Sequence, residues 1–147
     1  MAAQAWTVYN KAKEYMADGT MDLDTAEFKM ALFKSTSNAD TLTLLSLSQV
    51  TDEVNASWGY ATGGKTCSAT TWAEGTSAKA IQFDSTAVFW SANGGTITSI
   101  QFAVVYQNTG NNELLCYSSL SSAIFAVTDT NRLTVTPHDG SGYFEMV

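Results

Sequence analysis

ITSIQFAVVY, residues 97 to 106, decides how the rest of this chain is read. Ile100, Phe102, Val104 and Tyr106 recur at the two-residue period of a strand, while Ala103 and Val105 cover the opposite face. A strand that is apolar on both faces is covered on both, which predicts a central position in a sheet.

Outward from this stretch the signals stay β. NTGNN, residues 108 to 112, is a turn that leads into ELLCYSSL, followed by IFAVTD, a turn at 129 to 131, RLTVTP and GYFEMV. Upstream, TCSATTW, the Glu74-Gly75 turn, SAKAIQFD with Ile81 and Phe83 on one face, and TAVFW ending at Asn93-Gly94-Gly95 complete the pattern. Short β-branched and aromatic runs between closely spaced turns describe an antiparallel β-sandwich, jelly-roll or Greek-key like. Local signals do not fix the strand order.

The N-terminal third departs from this pattern. TVYNKAKEYMAD, residues 7 to 18, predicts an amphipathic helix with Trp6, Tyr9, Ala12 and Met16 on one side, Thr7 as its N-cap and Gly19 as its stop. A helix this short is marginal alone, so its aromatic side belongs to the core or to an interface. EFKMALFK predicts the first strand, with Phe28, Met30 and Leu32 inward. Residues 35 to 65 form an irregular excursion rich in Ser, Thr, Asn and Gly, with a short helix expected at 47 to 54.

The totals agree with one domain over residues 1 to 147, comprising an N-terminal arm and helix (1 to 19), the excursion and the sandwich. Hydrophobic residues make up 45% of the chain, enough to build a core that offsets conformational entropy. The 14 acidic and seven basic residues leave a net charge of −7, and the cations are scattered, which argues against binding nucleic acid or anionic lipid. No run of about 18 apolar residues exists to span a membrane. MAAQAWTVYNKAKEY lacks the layout of a signal peptide, so synthesis and folding in the cytosol are expected. Cys67 and Cys116 are too far apart for a metal or redox pair, and their expected use is as reduced core residues. Trp58, Trp72 and Trp90 lie in apolar or strand context, where packing is expected.

One stretch imitates a catalytic motif. GYATGGKT, residues 59 to 66, fits the nucleotide phosphate-loop pattern letter for letter. That motif needs a strand before it and a helix after it, so that the helix N-terminus meets the phosphates. TDEVNASW precedes it and the β-branched TCSATTW follows, so a glycine-rich turn is the expected structure. DGTMDLD, residues 18 to 24, gathers three carboxylates without the spacing of a calcium loop, and reads as a helix stop with solvated turn residues. The sole histidine, His138, lies beside Asp139 and Ser141 in a turn too tight to orient a triad. The expectation is no catalytic residue, cofactor or metal.

WTVYNKAKEYMADGTMDLDTAEFKMALFKSTSNA resembles the opening of small virion proteins of tailed bacteriophages, and the likeness continues through EVNASWGYATGG and FAVVYQ...ELLCYSSL. The resemblance implies a structural protein of the particle, a decoration or cement protein on the outside of the head, with the major capsid protein as partner and a homotrimer as its assembly. The alternative it leaves open is a neck or tail component that contacts a receptor glycan. On this reading Trp6, Tyr9 and Tyr15 in the N-terminal segment, and Trp58, Tyr60 and Lys65 at the close of the excursion, are the expected capsid or subunit contacts.

Overall fold

The computed structural model describes residues 5–75, 80–138 and 142–146. Its elements in chain order are β1 (Thr7–Val8), α1 (Asn10–Asp18), β2 (Phe28–Lys34), β3 (Lys65–Thr66), β4 (Thr71–Glu74), β5 (Ile81–Asp84), β6 (Val88–Ser91), β7 (Ile97–Gln107), β8 (Leu114–Ser119), β9 (Phe125–Val127), β10 (Arg132–Val135) and β11 (Phe144–Met146). The chain is mainly β, an antiparallel sandwich with one N-terminal helix.

β7 is central, as its two apolar faces predict. The larger sheet runs β1-β8-β7-β2-β3, and β9 pairs with the beginning of β7 on the side that β8 occupies farther along. β8 and β9 thus form one interrupted strand beside β7. Ser99, at φ +63, marks the irregularity in β7 between its pairs with β9. The other layer is a three-stranded sheet, β11-β5-β4, and a two-stranded one, β10-β6.

Residues opposite one another on antiparallel strands share a face. Phe28, Met30 and Leu32 therefore lie with Val105, Ala103 and Cys116 on the face toward the smaller sheets. Phe28 meets Phe83 of β5 edge to face, with ring centroids 4.9 Å apart. Trp90 of β6 is buried, 6.2 Å from Tyr60.

The other face of the larger sheet carries Ala31, Phe33, Phe102, Val104 and Tyr117. It too is largely buried, which explains why Ala31 and Phe33 are inaccessible although simple alternation puts only Phe28, Met30 and Leu32 inside. α1 and the excursion form the cover. Tyr9 stacks 5.5 Å from Tyr117 and its hydroxyl donates to the Ala39 carbonyl at 2.5 Å. Leu42, Leu44 and Leu47 pack against the core beside Ala39.

Several boundaries differ from the sequence reading. α1 starts at Asn10, because Thr7–Val8 pairs with β8 and Tyr9 N–H donates to the Leu115 carbonyl; Thr7 is a strand residue and caps nothing. Gly19 stops the helix as expected, at φ +82. The helix expected at 47 to 54 is a single 3-10 turn, Leu47–Gln49. TCSATTW is divided: Cys67 N–H still bonds Phe28 in the larger sheet, Ala69 turns at φ +52, and β4 belongs to the smaller sheet. The expected Glu74-Gly75 turn starts where β4 ends, with Gly75 N–H donating to the Ala80 carbonyl at 2.9 Å, while residues 76 to 79, and Asp139 and Ser141 beside His138, lie outside the described residues.

Candidate functional site

The six expected contact residues do not share one surface. Tyr9 and Tyr60 are buried, and Trp6 nearly so, with its ring edge-on to Tyr143 at 4.8 Å. Their side chains are structural and have no area to offer a partner, which corrects the expectation for all three. Tyr15 is half-buried under Lys11, whose ammonium lies 5.3 Å from its ring. Trp58 and Lys65 remain at the surface, and both lie against the segment that contains β6.

The glycine-rich connection explains why. Residues 61 to 64 form a turn closed by Gly64 N–H to the Ala61 carbonyl, with Gly63 at φ +86 and Gly64 at φ +73. The Glu53 carboxylate accepts from Tyr60 Oη at 2.6 Å and from Gly63 N–H at 2.6 Å, while Tyr106 Oη donates to the Gly63 carbonyl at 2.7 Å. A carboxylate therefore already occupies the Gly63 amide that a phosphate loop would aim at its anion. Lys65 and Thr66 then enter β3 against β2, and the next element is a strand, β4, where a phosphate loop would open a helix. Burial and the facing Glu53 raise the Tyr60 hydroxyl well above its ordinary range, and burial pushes the Tyr106 hydroxyl up to about 12.

Lys65 reaches β6. Its ammonium donates to the Phe89 carbonyl at 2.8 Å and lies 4.8 Å from the Phe89 ring, and the Arg132 guanidinium of β10 lies 4.4 Å from the same ring. Alternation along VFWS puts Val88 and Trp90 inside and Phe89 outside, where it is 44% exposed. An aromatic knob flanked by two cations results. Among the described residues the only ion pair joins Lys11 to Glu14, so neither Lys65 nor Arg132 is neutralised by a carboxylate. Phe89 and Arg132 were not singled out by sequence reasoning, although the alternation in AVFWS does place Phe89 opposite Trp90.

Farther along the same segment, Trp58 lies over Gly94 and Gly95. A Cβ on Gly95 would fall 2.4 Å from the indole, so the ring rests directly on the glycine backbone. Trp58 is 49% exposed, against the expectation of core packing, whereas Trp90 is in the core and Trp72 is half-buried.

A second surface lies between α1 and the sheet β11-β5-β4. Trp72, Phe83 and Phe144 are cross-strand neighbours on the inner face of that sheet, and Ile81 and Met146 continue the face at two-residue spacing. Phe83 is buried under the larger sheet, but Ile81 and Met146 are exposed, so the apolar face runs past what covers it. The opposite wall is α1 and the loop after it. Gly19 ends the helix, Asp18 accepts from Thr20 N–H, and Asp22 accepts from Asp24 and Thr25 N–H, as the turn reading of DGTMDLD expects. Hydrogen bonds from the Thr20 and Thr25 side chains, and after them those from the backbone N–H groups, favour ionised Asp18 and Asp22 and lower both carboxyls below their ordinary range. Gln107 at the end of β7 clamps the loop, accepting from Asp22 N–H at 2.8 Å and donating to the Thr20 carbonyl at 3.2 Å. The result is an open groove of about 810 Å³ with an apolar floor of Met16, Met21, Leu23, Trp72, Phe144 and Met146. Its rim carries Asp22, Asp24 and Glu145 against one cation, Lys13.

Both thiols are free and buried, and burial pushes the Cys67 thiol up to about 12 and the Cys116 thiol well above its ordinary range. They are unreactive packing groups in the folded state. Among the described residues, no group of three His, Cys, Asp or Glu side chains is placed to hold a metal, and no helix is long and apolar enough to cross a membrane. Comparison of the chain with protein-family models, curated proteins and solved structures found no match.

Proposed function

We propose that this protein is a structural component of a tailed-bacteriophage virion, a decoration or cement protein that binds the outer surface of the head through the major capsid protein. One observation carries the reading: the resemblance to small virion proteins falls on the residues that build the framework. Its first segment supplies β1, α1 and β2, and FAVVYQ with ELLCYSSL supplies most of β7 and β8, the middle of the larger sheet. A likeness spread over the framework concerns the whole fold rather than one shared loop.

The composition suits that role. Only 14% of residues are charged and the net charge is −7, which keeps a crowded, hydroxyl-rich outer surface soluble and disfavours contact with packaged nucleic acid. Adhesion is supplied by exposed apolar side chains outside the Phe89 knob and the groove beside α1, among them Leu45, Trp58 and Ile124. The test is cosedimentation of the purified protein with mature heads that lack it. Saturable binding to heads supports the proposal, and binding to isolated tails but not to heads refutes it.

The exposed Trp58 favours a second reading, a neck or tail protein that contacts a glycan. An indole backed by glycine on one side presents its other side as a stacking platform for a sugar ring. Titration with host-surface oligosaccharides that quenches Trp fluorescence, and loses the quench in Trp58→Ala, supports this alternative. Unchanged fluorescence rejects it.

A further inference from the structure

The two exposed surfaces are complementary. One is a convex knob, Phe89, with Lys65 and Arg132 against its ring and no carboxylate partner for either cation. The other is a concave apolar groove of about 810 Å³ whose rim carries three carboxylates and one ammonium. They are built from different elements and share no residue: β3, β6 and β10 form the first, and α1, its following loop, β4 and β11 form the second. From this pairing of shape and charge we infer that the chain docks onto a second copy of itself, the Phe89 knob of one copy entering the groove beside α1 of the next, with Arg132 meeting Glu145 and Asp24 at the rim.

Three physical points converge on this occupant. Part of the groove floor is the inner face of the β11-β5-β4 sheet, where the larger sheet no longer covers Trp72, Phe144 and Met146, and Met146 is left in water at 56% exposure. An uncovered sandwich face is stabilised by any apolar group that covers part of it, as a phenyl ring would. In a chain with twice as many acidic as basic residues, two of the seven cations stand together against one exposed aromatic ring. Such a patch meets a negative, apolar surface far better than a positive one, and the groove rim is such a surface on every copy. Finally, a guanidinium lying against a ring keeps its N–H groups free at the edge, and Arg132 has carboxylates within its chemistry only if a neighbour brings them.

The same contact, repeated from copy to copy, closes into a ring or is made reciprocally in a two-fold pair. Either arrangement puts Arg132 beside the acidic rim, so the test is a charge exchange. It is made on the purified protein, without capsids, and its outcome is independent of the virion reading.

Sedimentation velocity and equilibrium at low salt should show reversible self-association of the wild type that weakens as salt screens the rim. Arg132→Glu alone and Asp24→Lys/Glu145→Lys alone should each weaken association about tenfold or more, because like charges then face each other. The combined variant should recover to within about threefold of wild type. All substitutions lie at exposed positions, and circular dichroism with urea unfolding verifies that each variant is folded. A wild type that is monomeric up to millimolar concentration overturns the inference, as does a combined variant no stronger than either parent. A monomeric protein that still cosediments with heads would overturn self-docking and leave the virion proposal standing.

Discussion

Gly64 is the tightest point of the glycine-rich connection between residues 59 and 66. A Cβ at this position would lie 1.8 Å from the Met30 carbonyl oxygen and 2.6 Å from its carbon, and the residue is at φ +73. Alanine in that conformation costs about 1–2 kcal/mol from local sterics alone. The clash adds more, because the obstacle is the backbone of a central strand and cannot swing aside. Relief requires β3 to separate from β2 at the pairs Met30–Lys65 and Lys29–Thr66. Hydrogen bonds there are worth about 0.5–1.5 kcal/mol each, so Gly64→Ala should cost about 3–4 kcal/mol. Gly19→Ala supplies the control, since Gly19 is at φ +82 with nothing within 4 Å of its would-be Cβ. It carries the dihedral penalty alone, about 1–2 kcal/mol. Urea unfolding followed by Trp fluorescence, with an unchanged dependence on denaturant, measures both. A Gly64→Ala variant within about 0.5 kcal/mol of Gly19→Ala would refute the close approach of the connection to β2.

Three further outcomes follow from the same geometry. Tyr60→Phe removes the hydroxyl that accepts from Leu32 N–H at 3.0 Å and donates to Glu53, and should cost about 1–3 kcal/mol in urea unfolding because a buried N–H is stranded; no loss would mean that the bond is not made. Gly95→Ala should displace the Trp58 ring and shift the emission of that half-exposed indole, and an unshifted emission would mean that the ring does not rest on the glycine backbone. The Cys67 thiol is raised by burial from 9.0 to about 12, so the folded chain holds this proton where the unfolded chain loses it. Stability from this group is complete below pH 9.0 and is lost as pH climbs toward 12, by at most about 1.4 kcal/mol per unit. Urea midpoints measured across that window should fall less steeply in Cys67→Ala, and an unaltered slope would remove Cys67 from the explanation.

The central strand was the most legible part of the fold. ITSIQFAVVY carries apolar groups on both faces, and only an interior strand satisfies that pattern, so local reading and observed position coincide. The 108 to 112 turn was legible for a similar reason, its Gly110 and Asn112 both taking positive φ. Strand neighbours were not legible. β2 lies beside β7, and β1 beside β8, because of long-range pairing that leaves no mark on either segment alone. β1 shows this in miniature: Thr7–Val8 continues a helical pattern in sequence, yet β8 takes it as a strand and moves the helix start to Asn10.

The excursion illustrates the same limit. Its polar composition suggests a projecting contact loop, but Leu47 N–H bonds Asn112, Leu114 N–H bonds Leu45, and Val54 N–H bonds Leu32. These partners are remote in sequence and turn the segment into a cover for the larger sheet, with Ala39 and Val54 buried beneath it. Of the expected contact residues, Tyr9 and Tyr60 were misplaced because a tyrosine that is amphipathic in sequence serves equally well in a core when its hydroxyl finds a carbonyl or a carboxylate. Phe89 and Arg132 went unnoticed because their significance arises only when β6 and β10 pair.

The most direct measurement of the proposed virion role is a cryo-electron microscopy map of particles purified from the genome that carries this gene, compared with particles made after the gene has been deleted. A decoration or cement protein would give difference density of a two-layered β-sandwich on the outer surface of the head, in contact with the major capsid protein. Difference density confined to the neck or tail, or a protein absent from purified particles, would contradict it.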